Sequence, residues 1–510
     1  MIRVPPRCCP TEEGALDSAT VTTSGSRSSS ADPAPAGVLD LYRAGWTAAA
    51  RIGSRRWVST ALAVGMLATY VGLRSLDADR NLLVAWVVIA GVVTILSPVS
   101  GLMILAGIAP FTEPITFSRQ LGARPILIAI LGAAVAIRYV AAGARPRPPL
   151  PVVLAGGLAV GTAVGIGVIL IRYGQGAAGD AAQNWLAGIG GAMVVLTAAA
   201  WLARDGDRRP LIAAVLAGTA AAIISVADFS SATLIRGGPL DWTVRSAWYP
   251  ARLMGVIPSP NGTAALLIGP AAVLVAVAVL GRDARLRLLG AAAAVPLLTG
   301  LYFTYSRAAL IGIFFIVVIC AWRIRRWVGA TILVVGLGAA LILAPAYLQA
   351  RGQSIGGDYA RPQPGQIFIP SDQWRLNAWA TAARMWADEP LTGQGFFAYG
   401  RLATQFGDDV LKAPHNEWLR LFAEEGFIVG LLGIAFVLAT FAWLARDRSW
   451  LGAGILAAFV GWCVAATFNN PFGYVQVNTI IFTIVGTGIA RAAWPAVQPA
   501  EEEPTITESG

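Results

Sequence analysis

Long apolar stretches alternate with short polar ones from residue 57 almost to the C-terminal end of the chain. The apolar runs cover 57–73, 81–97, 99–111, 125–142, 150–171, 183–203, 211–227, 262–280, 287–303, 307–322, 327–345, 426–445, 450–468 and 475–494. Most are about 17–22 residues long, which is the helical length that crosses a bilayer core. Backbone polar groups have no water to bond in hydrocarbon, so a run of this kind reads as a helix. The pattern predicts an all-α polytopic integral membrane protein with about 12–14 transmembrane helices. The third run is short, and it and the second can be read as one bent hairpin.

The polar interruptions carry a second pattern. Arg51, Arg55 and Arg56 precede the first run; Arg145 and Arg147, RDGDRR (204–209), GRDARLR (281–287), RIRR (323–326) and RDR (446–448) follow at alternate connections. Basic residues mark cytoplasmic connections, so six clusters of one parity put both termini in the cytoplasm. The other parity holds 228–261, a tight turn at 304–306 and a long connection at 346–425, all facing outward. Hence the expected organisation is a tail over 1–50, transmembrane helices over 57–345, a large extracytoplasmic loop over 346–425, transmembrane helices over 426–494 and a cytoplasmic tail over 495–510. The N-terminal tail is Ser/Ala/Pro-rich and reads as disordered; without an apolar segment it is not a cleaved signal peptide.

Two short helices are expected inside the long loop. In 371–390, Trp374, Trp379, Ala382 and Met385 recur at helical spacing, as in a helix resting at the membrane interface. Pro414 suits the first turn of a helix over 414–424 that runs into the next span.

Composition narrows the function classes. The 510 residues are 56% hydrophobic and 13% charged, with a mean hydropathy of +0.64. The net charge of +10 is confined to the short clusters between spans, which suits anionic membrane lipids rather than nucleic acid. Four cysteines, Cys8, Cys9, Cys320 and Cys463, form no pairing framework and no zinc spacing.

Polar candidates concentrate in the outward connections. The first carries Arg252 and Asn261, the second Ser306 and Arg307 at the mouth of two apolar helices, and the third Arg375, PLTGQGFFAYG (390–400) and His415-Asn416. His415 is the only histidine in the chain. An arginine at membrane depth costs about 2.5–3.5 kcal/mol unless satisfied, and its rigid fork of donors fits phosphate oxygens. The plain alternative for Arg307 is snorkelling to headgroups. A neutral imidazole suits proton uptake from a hydroxyl or its positioning, against a structural role. Gly393 and Gly395 read as tight-turn residues. Asp408-Asp409 reads as a solvated loop rather than a cation site, and the DGD of 205–207 as charge balance within a basic cluster. Glu424, four residues after Arg420, reads as its ion-pair partner.

These motifs together resemble the O-antigen ligase and polymerase family of bacterial polysaccharide assembly. The likeness is carried by Ser306-Arg307 between two helices, Arg252 followed by Pro260-Asn261, PLTGQGFFAYG, and His415-Asn416 followed by Glu425-Gly426 and a new span. It implies transfer of a glycan from a polyprenyl-diphosphate-linked donor to a hydroxyl on a glycan or lipid acceptor. The reaction would take place on the outer face of the bacterial cytoplasmic membrane, without a nucleotide sugar, cofactor or metal. On that resemblance His415, Arg307 and Arg252 are catalytic: the arginines hold the diphosphate and His415 positions or deprotonates the acceptor. Asn416, Arg375, Ser306, Asn261 and Glu425 line the substrate. The tail and the number of spans exceed the family's usual twelve-helix plan. A lipid-linked glycan flippase is the competing expectation, and a wall polymerase using Asp408 a third.

Overall fold

The computed structural model describes residues 56–76, 78–111, 122–141, 147–231, 253–257, 259–354, 371–408 and 413–494, with side chains except at 230–231, 340–341, 343–354 and 371–373. Both tails, Arg51, Arg55, Arg145, Arg252, Asp409 and Lys412 lie outside the described residues.

Each of the fourteen apolar runs is helical. The helices are α1 (Arg56–Ser75), α2 (Arg80–Leu96), α3 (Pro98–Ile108), α4 (Ala123–Ala141), α5 (Leu150–Ala187), α6 (Ile189–Ala203), α7 (Arg209–Ser231), α8 (Pro260–Leu280), α9 (Ala284–Phe303), α10 (Arg307–Ile324) and α11 (Arg326–Ser354). Two helices, α12 (Ser371–Asp388) and the single turn α13 (Tyr399–Leu402), belong to the long connection, and α14 (Glu417–Leu444), α15 (Trp450–Phe468) and α16 (Val475–Ala493) complete the chain. Among the described residues ten helical stretches are long and apolar enough to cross a membrane, α5 and α6 together forming one of them, and three shorter apolar helices join them. The fold is all-α and polytopic.

Helix α16 runs through the centre, buried from Val477 to Ala490, and packs on α6, while α15 packs on α8 and α10. In lipid, association rests on close packing more than on water exclusion, so small residues mark the contacts. A Cβ on Gly486 of α16 would stand 2.4 Å from the Leu196 carbonyl of α6.

The arginine-rich ends of the helices meet one another. Arg209 bonds the Arg56 carbonyl across the α7–α1 contact and pairs with Asp207 at 2.5 Å, so the DGD segment is indeed charge balance. Asp447 joins two further ends: its carbonyl accepts from Arg323 at 2.9 Å and its carboxylate from Arg491 at 3.2 Å. Burial pushes the Asp447 carboxyl up, but bonds from Ser449 and Arg491 outweigh it and hold the group below the usual carboxylate range. Arg138, in the last turn of α4, donates to the Leu96 carbonyl at 2.6 Å, the free end of α2.

Three expectations are corrected. The chain does not leave its helix at 171: α5 continues past a break at Gly174 (φ 82°) to Ala187, because the alanine-rich 177–182 favours helix and Arg172 and Asp180 reach polar partners beyond the span. The second and third runs are separate helices sharing Ser97, which ends α2 and caps α3. Pro414 is not in the first turn of the last connection's helix. Asn416 is the N-cap and α14 starts at Glu417, since an asparagine side chain satisfies first-turn N–H groups that proline leaves untouched.

Candidate functional site

The long connection folds onto α14 through a break in that helix. Gly426 adopts φ 76° and ψ −173° inside α14, which diverts the Phe427 N–H from its intrahelical partner to the Pro390 carbonyl at 2.8 Å. The carbonyls released by the break are taken up by the same loop: Gln394 N–H donates to Ala423 O at 3.0 Å and Gly395 N–H to Glu424 O at 2.7 Å. Buried backbone groups must be paired, so helix and loop complete each other. Gly393 (φ 66°) sits so close that a Cβ would lie 2.3 Å from the Glu424 carbonyl oxygen. The tight-turn reading of Gly393 and Gly395 is correct, and the backbone pairing to α14 is what requires it.

Glu424 closes this unit. Its carboxylate accepts from Phe397 N–H and Tyr399 N–H, both at 3.1 Å. It is therefore not the partner of Arg420, as its spacing suggested; that arginine pairs with Glu417 one turn earlier, at 2.7 Å. A carboxylate satisfies two donors where an amide satisfies one. Glu424→Gln is expected to leave one buried N–H unpaired and to lower stability by about 1–3 kcal/mol, read as an earlier thermal unfolding transition in detergent. An unchanged transition would remove Glu424's anchoring role.

His415 stands at the head of this unit, in the left-handed region at φ 52°. For a residue other than glycine such a backbone costs about 1–3 kcal/mol and persists where the surroundings over-determine it. Asn416 follows as N-cap, its side-chain oxygen accepting from Trp418 N–H at 3.1 Å and Leu419 N–H at 3.0 Å. The imidazole Nδ1 lies 3.1 Å from Asn469 Oδ1, at the end of α15, and the Trp374 ring meets it edge-on at 5.2 Å. Burial and the charge of Arg375 hold the ring neutral, with a pKa lowered to about 4. Asp408 acts on it in the opposite sense.

Asp408 is not a solvated loop residue. It is 5% exposed, and its Oδ2 lies 2.8 Å from the Tyr399 hydroxyl, which also stands 3.1 Å from the Ala378 carbonyl. The phenol is pushed above its ordinary range by burial and by the Asp408 carboxylate. A two-residue acidic sequence in a long connection looks solvated; only the fold brings Tyr399 over Asp408.

The remaining expected residues occupy neighbouring helix ends. Ser306 caps α10 in position only: no side-chain cap bond forms, and its buried hydroxyl has no hydrogen-bond partner among the described residues. Arg307 is the first residue of α10, after a tight turn in which Tyr305 has φ 48°. Helices α10 and α15 touch at Gly312 and Gly461, where a Cβ on the first would be 3.7 Å from the Cα of the second. Arg307 lies five residues from that contact and Asn469 eight, heights of about 7 and 12 Å, so the two differ by about one helical turn. Asn261 is the second residue of α8, and its neighbour Gly262 packs on Tyr474 at the head of α16. Leu253, the residue after Arg252, donates to the Phe303 carbonyl at 2.9 Å. The Glu425 carboxylate packs on Gly165 of α5.

The sequence reading missed Asn469, Tyr399 and the buried Glu417–Arg420 pair. A signal existed for Asn469: TFNNPFG closes an apolar span with two adjacent amides. A cavity of about 30 Å³ lies beside Arg420, between Asn184, Gly188, Phe397 and Phe472, room for one or two waters. Among the described residues no group of three or more His, Cys, Asp or Glu side chains is arranged to hold a metal.

Residues 292–434 match the family model described as O-antigen ligase. The matched stretch takes in Ser306, Arg307, Arg375, the 390–400 loop, His415, Asn416 and Glu425, and stops short of Asn469. The resemblance to the O-antigen ligase- and polymerase-like family holds over this stretch and supports glycan transfer of the ligase or polymerase type in general, in a multi-pass membrane protein. The search of curated proteins returned no match to the chain.

Proposed function

We propose that this chain moves a glycan from a polyprenyl-diphosphate carrier to a hydroxyl of a glycan or lipid acceptor, with its site on the outer face of a bacterial cytoplasmic membrane. The observation that carries this reading is the neutral, buried His415 held by Asn469 at the same end of the bundle as Arg307. The arginine-rich connections at the other end support the orientation, since basic residues stay cytoplasmic.

In the proposed reaction the acceptor oxygen forms a bond to the donor's anomeric carbon as the carbon–oxygen bond to the diphosphate breaks. The acceptor proton passes to His415 as that bond forms, because a sugar hydroxyl is too weak an acid to ionise first. The leaving diphosphate gains negative charge. Arg307, Arg252 and Arg375 are proposed to stabilise it, together with the uncapped N-terminus of α10 and the Ser306 hydroxyl. Asn261, Asn416 and Glu425 are proposed substrate contacts. For Asn416 the contact would come from the amide nitrogen, because the cap uses the oxygen. Metal independence is part of the proposal.

Glycans of cells with and without the gene test the reading. Single repeat units in place of long chains would make the protein a polymerase; long chains retained on the carrier would make it a ligase. Unchanged glycans in both pools would return the reading to transport.

A pH dependence follows from the neighbours of His415. A base with a pKa near 4 is in its working form throughout the neutral range, so transfer should stay level down to about pH 5 and fall below it. The Arg375 charge contributes to that depression. Arg375→Ala removes a like charge, so the imidazole pKa rises and the acid limb of the pH–rate profile moves to higher pH. An acid limb that stays in place would show that another group sets it.

A further inference from the structure

We propose that Asn469 is the positioning residue of His415, accepting the Nδ1 proton and so leaving the Nε2 lone pair to face the acceptor hydroxyl. The role assigned to Nε2 rests on the transfer reading; the tautomer does not.

The ring is held in three ways, and only one of them distinguishes its nitrogens. The left-handed backbone at φ 52° sets the direction of Cβ. Trp374 meets the ring edge-on at 5.2 Å and limits its rotation. Neither selects a tautomer. Asn469 Oδ1, 3.1 Å from Nδ1, does: an oxygen acceptor requires the proton on Nδ1, and the partner of one ring nitrogen decides the state of the other. With the amide reversed, its N–H would occupy the Nδ1 lone pair and the proton would sit on Nε2, which ends base chemistry there.

Asn469 has no other visible reason to be polar. It is 2% exposed, its backbone is extended at φ −154°, and its Nδ2 has no hydrogen-bond partner among the described residues. A buried unpaired donor is destabilising, and an apolar side chain ending α15 would avoid it. The contact to His415 is what the amide provides.

The surroundings fix the pair to each other. On one side of Asn469 in sequence, Thr467 Oγ1 accepts from Trp418 Nε1 at 3.0 Å; on the other, Phe472 N–H donates to Glu417 at 2.9 Å. Asn478 Nδ2 holds the Phe472 carbonyl at 3.0 Å, and the Phe472 ring packs on Trp462 at 5.1 Å. The first turn of α14 is thus clasped to the end of α15 before and after Asn469. Locking of this kind is what holds a reacting group within the tolerance catalysis needs. The charged groups facing the imidazole are Arg375 of α12 and Asp408 of the segment after α13. Both act on its charge, while Asn469 is the group placed at Nδ1.

Because His415 is the only histidine, the 15N spectrum of histidine-labelled full-length protein, purified with a histidine-free tag, reports this one ring. At neutral pH the wild type should show a protonated Nδ1 and a bare Nε2. Asn469→Ala should shift population to the Nε2–H form and lower transfer at least tenfold. Asn469→Asp should restore the Nδ1–H form and, by placing negative charge beside the ring, move the acid limb of the pH–rate profile upward. A wild-type ring protonated on Nε2, or a tautomer or transfer rate unchanged in Asn469→Ala, overturns the proposal. If the alanine variant does not fold, the wild-type spectrum and the aspartate variant decide alone. An Asn469-dependent tautomer in a protein that transfers no glycan would sink the transfer reading and leave the tautomer assignment standing.

Discussion

Glycan transfer by a His415→Asn variant should fall about 10²–10⁴-fold, the usual contribution of a positioned general base, while the protein still folds. Asparagine is the replacement that separates chemistry from structure here. His415 has φ 52°, and asparagine enters the left-handed region more readily than most side chains. It also keeps a polar group toward Asn469 but has no nitrogen of suitable basicity. Alanine would remove the imidazole too, yet its backbone would be strained, so a loss there would be ambiguous. Initial rates on a polyprenyl-diphosphate-linked donor, with elution and melting profiles as folding controls, give the result. A well-folded asparagine variant retaining more than half of the wild-type rate would end the base assignment.

Arg307→Ala is expected to lower transfer about 10²–10³-fold, as when one preorganised donor to a developing negative charge is lost. Its setting is the reason for that size. The N-terminus of α10 has no side-chain cap bond, and the Ser306 hydroxyl beside it is buried and unpartnered among the described residues. Helix-end N–H groups, a buried hydroxyl and an arginine thus belong to one helix N-terminus, where an anion is favoured. Arg307→Lys keeps the charge but loses the two-point fork, so it should recover only part of the rate. Full recovery with lysine would mean that charge alone matters, and a rate indifferent to both substitutions would remove Arg307 from the site. Saturating donor distinguishes weaker binding, which it would correct, from lost transition-state stabilisation, which it would not.

Much of this protein was determined by its sequence read alone. Fourteen apolar runs became fourteen helices because hydrocarbon leaves the backbone few alternatives. The helix within 371–390 was readable from Trp374, Ala382 and Met385, and the turn at 304–306 from its shortness between two spans. Ser306-Arg307 and His415-Asn416 were legible because polar residues stand out against so apolar a background.

What the tertiary structure decided is how those residues are used. Helical spacing paired Glu424 with Arg420, but spacing ignores the backbone donors of a loop twenty-five residues away, and those take the carboxylate. Asp408 looked solvated because it stands in an acidic pair within a long connection; the Tyr399 that covers it is placed by the loop's pairing with a broken α14. Asn469 lies fifty-four residues from His415 and outside the matched stretch, and no local period connects them. They meet because α14 and α15 pack side by side and are clasped at Thr467 and Phe472. Local patterns record which segments must be helical, since that depends on solvent and near neighbours. The protonation and partners of the imidazole depend on contacts between distant segments, and those exist only once the helices have packed.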